Sequence, residues 1–263
     1  NSVTYKQELI YITTTSPNVT AHNPNGTTVA YTKGDILKWN GQVWSKWFSS
    51  TAKGLPAGTD IYAFDVANEA AGSVWLTLGS DQKKVPGLGR VTAHEIMYFN
   101  GQSFSRFFDG GDVGLKTTGE RINGLEVLPG SISPIGSGCL HYLLISTVAG
   151  GGVPVGNGNV NFTGEDVLGF CMTSVGANTA GQWHLVFEGQ SHGLQKNNNR
   201  GLSANANATT LYFTAKLPFQ GIPAGVVFSW NGSSFSGALW RATDHGVTRA
   251  VDGIDVVELG VTN

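Results

Sequence analysis

The sequence has few charged residues and lacks long hydrophobic runs, and each of these features excludes a class of function. Lys and Arg number 16, and Asp and Glu 18, among 263 residues, which gives a net charge of -2. Without a cationic excess the chain lacks the electrostatic footprint of a nucleic-acid-binding protein, so no nucleic-acid partner is expected. Hydrophobic residues are interrupted well before the roughly 18 consecutive positions that a membrane-spanning helix needs, so no transmembrane segment is expected.

Cysteine is also scarce, whereas glycine is abundant. Two cysteines cannot build a disulfide scaffold. The 37 glycines and the many Asn, Thr and Ser residues mean that solubility rests on neutral polar groups, a composition typical of an extracellular β protein with many turns. The chain starts at Asn1 without a charged-then-apolar leader. We therefore expect the mature form of an exported protein that is extracellular, periplasmic or at the cell surface.

A short motif recurs three times: an aromatic residue, Asn-Gly, two variable residues and a second aromatic. The copies are WNGQVW (39–44), FNGQSF (99–104) and WNGSSF (230–235). Asn-Gly favours a tight two-residue β-hairpin, and the flanking aromatics are expected to pack across its two strands. Asn40 to Asn100 is 60 positions and Asn100 to Asn231 is 131 positions. The spacing predicts a fourth unit between them, with a longer turn within 170–183.

Each unit contains four short runs rich in β-branched and aromatic residues, separated by Gly, Asn, Pro or Asp, which is typical of strands. No run shows a sustained helical period. Four similar four-stranded units predict an all-β, four-bladed β-propeller that occupies 1–263 as one domain; a β-sandwich is the alternative. The predicted units span about 60–108, 122–188 and 202–239, and the last combines 254–259 with 8–48.

The phase of the repeat predicts how the ring closes. The chain begins with a second run (8–13) and ends with a first run (254–259). We predict that the C-terminal strand pairs with the three N-terminal strands to complete one blade, which removes a free sheet edge. The first runs are expected to be innermost, where a bulky side chain would not fit at one shared position. That position is predicted to hold Ala63, Gly124, Ala204 and Val256.

The connections predict which end of the propeller carries function. Hairpins between third and fourth strands are short, whereas the connections between second and third strands and the links between blades are long. Binding usually resides on long loops held by a rigid scaffold, so we expect function at the long-loop face. The links share a motif whose Gly is expected to adopt a positive φ and whose Leu or Val packs against the sheet. Its copies are AKGL (52–55), DVGL (112–115), SHGL (191–194) and DHGV (244–247).

Candidate ligand-binding residues lie in these links. His192 and His245 occupy equivalent motif positions, and Trp240, at the start of a link, is the tryptophan that strand packing explains least. An exposed tryptophan there would offer a stacking surface for a sugar. The ligand-binding candidates are His192, His245, Asp112, Asp244 and Trp240. No catalytic residue is assigned, because the chain has no HExxH motif and its GxSxG match, GQSHG (189–193), is not followed by a helical run.

The acidic residues near the long-loop face have two interpretations. They accept backbone N–H groups and fix the loops, or some of them reach the mouth of the channel and hold Ca²⁺ through oxygen ligands. A calcium site would have to be assembled by the fold, since no EF-hand motif is present. The candidate metal ligands are Asp60, Asp112, Glu120, Asn123, Asp252 and Asp255. Otherwise no cofactor is expected.

The two cysteines fall in one predicted unit. Cys139 precedes the second run of that unit, and Cys171 ends its third run. Antiparallel neighbours place the start of one strand beside the end of the other, so the arrangement favours a disulfide between Cys139 and Cys171. Such a bond fits an oxidising compartment.

Two stretches of the sequence resemble a repeat of secreted bacterial proteins. They are CMTSVGANTAGQWHLVFEGQSHGL (171–194) and FFDGGDVGLKTTGERINGLEVLPG (107–130). The family pattern reads like PTSLGxxTxGxW, then FDGSDVGL, then EDIDAL. The family's acidic segment is Glu120-Arg121-Ile122-Asn123 in this chain, and under half of the chain shows the resemblance. The resemblance implies an exported, propeller-like protein and implies no activity.

Taken together, these features predict an extracellular or cell-surface β-propeller that binds a ligand through its long-loop face without catalysis. The ligand is a glycan or a partner protein, for example in an envelope assembly. One alternative is a lyase or hydrolase that acts on polysaccharides, using His192, His245 and nearby carboxylates for acid–base chemistry. Another is a structural subunit of an envelope or membrane-associated complex.

Overall fold

The computed structural model describes residues 9–136, 138–156, 158–194 and 199–257. The first part of the chain contains β1 (Leu9–Thr14), β2 (Val19–His22), β3 (Thr28–Tyr31), β4 (Asp35–Trp39) and β5 (Trp44–Ser49). Next come β6 (Ile61–Asn68), β7 (Ser73–Leu78), β8 (Lys83–Val85), β9 (Gly89–Val91), β10 (Glu95–Phe99) and β11 (Phe104–Asp109). Then follow β12 (Ile122–Pro129), β13 (His141–Thr147), β14 (Gly151–Val155), β15 (Gly158–Phe162), β16 (Val167–Ser174) and β17 (Ala180–Phe187). The last are β18 (Asn199–Ala204), β19 (Leu211–Ala215), β20 (Val226–Trp230), β21 (Trp240–Arg241) and β22 (Val251–Val257).

These strands form a four-bladed β-propeller. Its antiparallel sheets have the orders β22-β1-β4-β5, β6-β7-β10-β11, β12-β13-β16-β17 and β18-β19-β20-β21, and we number the blades one to four in that sequence. The innermost strands β22, β6, β12 and β18 each contact the next one around the ring. The predicted closure is confirmed, because β22 pairs with β1 to complete the first blade. Of the predicted last run, Glu258 and Leu259 lie outside the described residues, as does Glu8 of the first.

The hydrophobic core lies between the blades. Four clusters of buried side chains each combine residues of two successive blades, for example Leu76 and Met97 of the second blade with Ile36 and Phe48 of the first. The same pattern holds at the other three joints. Each sheet therefore buries both faces, as the β-branched and aromatic runs predict.

Short 3₁₀ helices occupy several of the connections. Their bounds are Thr51–Lys53, Gly110–Val113, Thr118–Glu120, Gly130–Ile132, Gly176–Asn178, Gln190–His192 and Ala242–His245. None of the helices in the described part of the chain is long and apolar enough to cross a membrane.

The structure corrects the sequence interpretation at two strands and adds three hairpins. The outer strand of the fourth blade is β21, Trp240–Arg241, rather than the predicted 234–239. That run bonds to β20 only at separate points, through a bridge between Phe235 and Trp230 and the N–H groups of Ser236 and Leu239. In the fourth blade the first strand begins at Asn199 rather than at Leu202. The unpredicted hairpins β2-β3, β8-β9 and β14-β15 fill the long connections between second and third strands of blades one to three.

The small residues of the inner strands also differ from the prediction. Each inner strand carries one extra residue opposite its neighbour, and the position after it holds Ala63, Gly124, Gly201 or Gly253. A Cβ at Gly124 would lie 2.7 Å from Leu202, and one at Gly253 3.0 Å from Phe64, both in the next blade. The crowding is as predicted, but Ala204 and Val256 do not take part in it, since they lie three positions further along their strands.

The Asn-Gly turns are tight hairpins whose asparagine acts through its side chain. The Oδ1 atom of Asn40 accepts the N–H groups of Gln42 and Val43 at 3.0 and 2.8 Å. Gly41 has a φ of 85°, and a positive φ is required at the first central position of such a hairpin. Asn100 and Asn231 form the same bonds. The flanking aromatics pack as predicted, with centroid distances of 5.3 Å for Trp39–Trp44, 4.8 Å for Phe99–Phe104 and 4.8 Å for Trp230–Phe235.

The link motif has the predicted geometry and connects successive blades. Gly54, Gly114, Gly193 and Gly246 have φ between 82° and 107°, and the following Leu or Val is buried in each copy. The residue before the glycine contacts the aromatic pair of the next blade. The contacts are Lys53 Nζ to the Phe99 centroid (5.2 Å), Trp183 Nε1 to the Val113 carbonyl (2.8 Å), and the ring centroids of His192 and Trp230 (4.3 Å) and of His245 and Trp39 (4.6 Å).

Candidate functional site at the channel mouth

One position of the inner strands forms a closed circle of hydrogen bonds around the axis. Asp65, Glu126, Ser203 and Asp255 occupy this position in the four blades. Each of these side chains accepts a backbone N–H from the next inner strand. The donors are Val127 to Asp65 (2.8 Å), Ala204 to Glu126 (2.8 Å), Val256 to Ser203 (3.1 Å) and Val66 to Asp255 (3.0 Å). The circle fixes the register of every blade against its neighbour.

Three members of this circle are carboxylates that converge on the axis. One oxygen of Asp65, one of Glu126 and one of Asp255 lie within 4.8 Å of one another, and each residue is over 90% buried. Burial, together with the neighbouring carboxylates, raises the pKa of Asp65 and of Glu126 well above the usual range. Burial raises the pKa of Asp255 to about 6. Oxygens at this spacing can share a proton or surround a hard cation.

The extra residue of each inner strand lies nearer the long-loop face and lines an open cavity. These bulged residues are Tyr62, Asn123, Arg200 and Asp252, one from each blade. A bulge redirects the side chain that it carries, and four equivalent bulges bring four different side chains to the mouth of the channel. The cavity measures about 340 Å³, and its lining residues are Thr15, Asp60, Tyr62, Asn123, Val148, Arg200, Lys216 and Asp252.

The mouth lies at the long-loop face. The inner strands begin there, and the second strands of the blades end there, at Thr14, Leu78, Thr147 and Ala215. The residues that follow those ends are Thr15, Gly79, Val148 and Lys216, three of which line the cavity. At the remaining position, a Cβ on Gly79 would lie 2.1 Å from the Tyr62 ring. Glycine is therefore needed beside the aromatic ring of the mouth.

Charged groups of both signs meet at the mouth. Lys33 Nζ lies 3.0 Å from Asp60 Oδ2, whereas Arg200 Nη1 lies 4.0 Å from Asp252 Oδ1, beyond hydrogen-bonding distance. Burial raises the pKa of Asp252 to about 7, against an opposing effect of Arg200. Burial also raises the pKa of Asp60, although Lys33 counteracts the change. The mouth thus contains two carboxyl groups whose pKa values are raised.

The residues proposed as calcium ligands do not form one site. Asp60, Asn123 and Asp252 line the mouth, where Lys33 and Arg200 lie beside the two carboxylates and disfavour a divalent cation. Asp255 lies further along the axis with Asp65 and Glu126. The other two candidates hold loops in place: Glu120 accepts the N–H groups of Lys116, Thr117 and Gly152, and Asp112 accepts that of Thr179.

The link residues proposed as ligand contacts lie at the joints between blades. His192 stacks on Phe187, and His245 stacks on Trp240, so the two histidines belong to different joints. The Trp240 ring is 4% exposed and packs edge-to-face on Trp44, which leaves no ring face for a sugar. Asp244 is exposed beside His245 in the 3₁₀ helix Ala242–His245, outside the mouth.

The cysteines form a disulfide that joins two strands of the third blade. Cys139, just before β13, is bonded to Cys171 of β16, and their Cα atoms are 5.2 Å apart. The antiparallel pairing of β13 with β16 brings the two residues together.

Sequence reasoning did not identify the most informative groups of the mouth, namely Tyr62, Arg200 and Lys216. These residues differ in type from blade to blade, so no motif marks them. For Tyr62 and Arg200, a usable signal is their position, one residue after the first buried residue of an inner strand; these first residues are Ile61, Ile122, Asn199 and Val251. That position becomes visible only when the bulge fixes the alignment of the strands.

Comparisons with known proteins add little. No family model and no curated protein matches the chain. Among solved structures, the extracellular domain of a one-component system from B. thetaiotaomicron has 10% identity and a TM-score of 0.37, covering 94% of this chain and 37% of that chain. The extracellular domain of a hybrid two-component system from the same organism has 10% identity and a TM-score of 0.36, covering 93% of this chain and 36% of that one. The β-propeller domain of Swd1 from Myceliophteria thermophila has 10% identity and a TM-score of 0.29, covering 85% and 72%.

The chain thus spans little more than a third of those extracellular domains. All three TM-scores are below 0.5, so the assignment of the fold rests on the sheet order and the inner ring of this chain itself.

Proposed function

We propose that this protein is an exported, non-enzymatic binding protein that holds a polar group of a glycan in the mouth of its central channel. The observation that carries the proposal is the convergence of Tyr62, Asn123, Arg200 and Asp252, delivered by the same bulge of four strands to one open cavity. A cavity of about 340 Å³ falls within the range of small-molecule sites.

The lining of the cavity favours a sugar over an apolar ligand. Asn123, Thr15 and the carboxyl groups supply hydrogen-bond donors and acceptors for hydroxyl groups. Tyr62 supplies an aromatic ring, half-buried against the glycine notch at Gly79, on which the C–H face of a pyranose can stack. A partner protein would need an interface of about 800 Å² on each side, which is larger than one cavity of this size presents.

Two features support export. The Cys139–Cys171 disulfide is the kind of bond that persists in oxidising compartments. The resemblance of 107–130 and 171–194 to a repeat of secreted bacterial proteins agrees with it. Extracellular, periplasmic and cell-surface locations all satisfy both features.

A glycan array with three forms of the protein tests the proposal. We expect the wild type to bind at least one glycan, Tyr62→Ala to lose most of that binding, and Gln102→Ala to retain it. Gln102 is the control because it lies in an Asn-Gly turn at the opposite end of the strands. Absence of binding by the folded wild type, or equal binding by the Tyr62→Ala variant, would contradict the proposed site.

One observation favours a second candidate, a hydrolase or lyase acting on polysaccharides. Asp60 and Asp252 line the same cavity with raised pKa values, that of Asp252 about 7. A pair of titratable groups in one cavity can provide general acid and base. His192 and His245 would have no part in it. Release of new reducing ends or unsaturated products from the bound glycan, abolished in Asp252→Asn, would establish catalysis; binding without turnover would exclude it for that glycan.

A further inference from the structure

The cationic groups that line the cavity lie on one side. Arg200, from β18, and Lys216, directly after β19, both belong to the fourth blade. Arg200 is 4.0 Å from its nearest carboxylate, and Lys216 forms no ion pair within the described residues. A guanidinium presents several N–H donors in a fork that matches a carboxylate. These two side chains are therefore available to an anionic group of a ligand.

The carboxyl groups of the mouth do not cancel this positive charge. Asp60 is paired with Lys33 at 3.0 Å. Asp252 has a pKa of about 7, so near neutral pH it carries a proton in much of the population. The balance of charge at the mouth is consequently positive, although the whole chain is slightly acidic.

The aromatic and amide groups occupy the other sides of the same cavity. The second blade, which carries Tyr62, lies opposite the fourth blade in the ring, and Asn123 and Asp252 belong to the two blades between them. A sugar ring on Tyr62 would direct substituents toward Arg200 and Lys216 on the far side. Its hydroxyl groups would reach Asn123 and Asp252 on the flanks.

We propose that the mouth selects a hexuronic acid, a pyranose that carries a carboxylate, with Arg200 and Lys216 as its specificity-determining residues. This inference rests on the proposed function and adds the chemical class of the ligand. An acidic peptide shares the carboxylate, but it lacks the ring for Tyr62 and the array of hydroxyls for Asn123. The uronic acid satisfies every side of the cavity.

Isothermal titration calorimetry with matched sugars tests the inference. D-glucuronate and D-glucose differ at one carbon, as do D-galacturonate and D-galactose. We expect the wild type to bind one uronate at least tenfold more tightly than its neutral partner. Arg200→Met should remove that preference by lowering the affinity for the uronate to that for the neutral sugar. Arg241→Met is the control, since Arg241 lies on the outermost strand of the same blade, and it should retain the preference.

The outcomes separate the ligand class from the proposed function. Equal affinity for the uronate and the neutral sugar overturns the acidic-sugar inference, while the glycan-binding function stands. Loss of the preference in Arg241→Met as well overturns the role of Arg200. If the folded protein binds neither sugar and also binds nothing on the glycan array, the proposed glycan-binding function itself is overturned. The wild type could also bind a Glu-Glu-Glu peptide more tightly than either uronate, and Arg200→Met could lose that binding. This result overturns the inference of a sugar ligand and assigns the mouth to an acidic peptide.

Discussion

At the scale of single residues, a position that varies in type can still be equivalent in geometry. The extra residue of each inner strand has a different kind of side chain: a phenol, an amide, a guanidinium and a carboxyl group. These residues are Tyr62, Asn123, Arg200 and Asp252. The bulge is common to all four blades, whereas the side chain is free to differ. The mouth is thus asymmetric in chemistry although its scaffold repeats.

The link glycines give a prediction at the same scale, because two positions with equal φ differ in their surroundings. Gly246 and Gly26 both have a φ of 82°, but their surroundings differ. A Cβ on Gly246 would lie 2.1 Å from the His22 carbonyl, whereas one on Gly26 would meet no atom of the described part of the chain within 4 Å. Gly26→Ala should cost about 1 kcal/mol for the left-handed backbone alone. Gly246→Ala should cost at least about 2 kcal/mol more, measured by urea unfolding.

Equal destabilisation by the two substitutions would contradict the close contact between the last link and the β2-β3 hairpin. The comparison isolates that contact, since the backbone conformation is the same in both.

The residues whose type is dictated by the backbone conformation were the most predictable from the sequence. The link glycines and the turn glycines were predicted because few other residues adopt a positive φ. The polar residues of the axis were harder to place. Ala204 and Val256 were aligned with Ala63 because the predicted runs begin at Leu202 and Ile254, three residues after the strands begin at Asn199 and Val251. The alignment error hid the circle of Asp65, Glu126, Ser203 and Asp255.

At the scale of elements, the Asn-Gly hairpins connect blades as well as strands. Their aromatic pairs contact the link that follows the preceding blade. In the equivalent, longer hairpin of the third blade, Trp183 Nε1 donates a 2.8 Å hydrogen bond to the Val113 carbonyl of that link. The turn is therefore a part of the joint between blades. The rings of His192 and His245 take part in the same packing, at two different joints.

Removing one indole N–H tests this role of the hairpins. Trp183→Phe deletes the bond to Val113 and leaves a buried carbonyl without a donor, so we expect a loss of about 1–3 kcal/mol in unfolding free energy. Trp75→Phe is the matched control, because the Nε1 atom of Trp75 is buried and has no hydrogen-bond partner among the described residues. It should lose less than Trp183→Phe, measured by chemical denaturation, and an equal or larger loss would contradict the assigned bond.

The disulfide acts on the third blade. It closes a loop with a sequence separation of 32 between Cys139 and Cys171. Replacing both cysteines by serine should lower the unfolding free energy by about 2–4 kcal/mol, since the cross-link restricts the unfolded chain. The check is urea unfolding of the double variant beside the oxidised wild type. A change below about 0.5 kcal/mol would show that the bond contributes little to stability.

At the scale of the whole molecule, the ring of inner strands has an electrostatic cost. Asp65, Glu126 and Asp255 have pKa values raised in the folded state, so the native protein binds more protons than the unfolded chain above about pH 4. The unfolding free energy must then fall as pH rises through the folded-state pKa values. For Asp255 this window ends near pH 6, and for the other two it extends higher.

Urea unfolding between pH 5 and 8 checks this sign. We expect the wild type to lose on the order of 1.4 kcal/mol for each unit of raised pKa that ionisation crosses. Glu126→Gln keeps an acceptor for Ala204 and removes one charge, so its stability should fall less over the same range. Glu188→Gln, which removes one charge from an exposed residue, should follow the wild type. A wild-type stability that rises from pH 5 to 8 would contradict the raised pKa values.

The propeller as a whole was predictable because many positions of the sequence indicate its period, its strand composition and its closure. The number of blades followed from the spacing of Asn40, Asn100 and Asn231, and the closure followed from the phase of the first and last runs. For the candidate cavity, the sequence predicted only the face of the propeller on which it lies. Its lining depends on where four bulges and four strand ends meet, and no single segment contains that information.

The central claim is that the channel mouth is the binding site, and a crystal structure of protein soaked in D-glucuronate tests it most directly. The account predicts density for a sugar ring against Tyr62, with its carboxylate within hydrogen-bonding distance of Arg200 or Lys216. Density at the joints around His192 or His245, with the mouth holding only solvent, would contradict it.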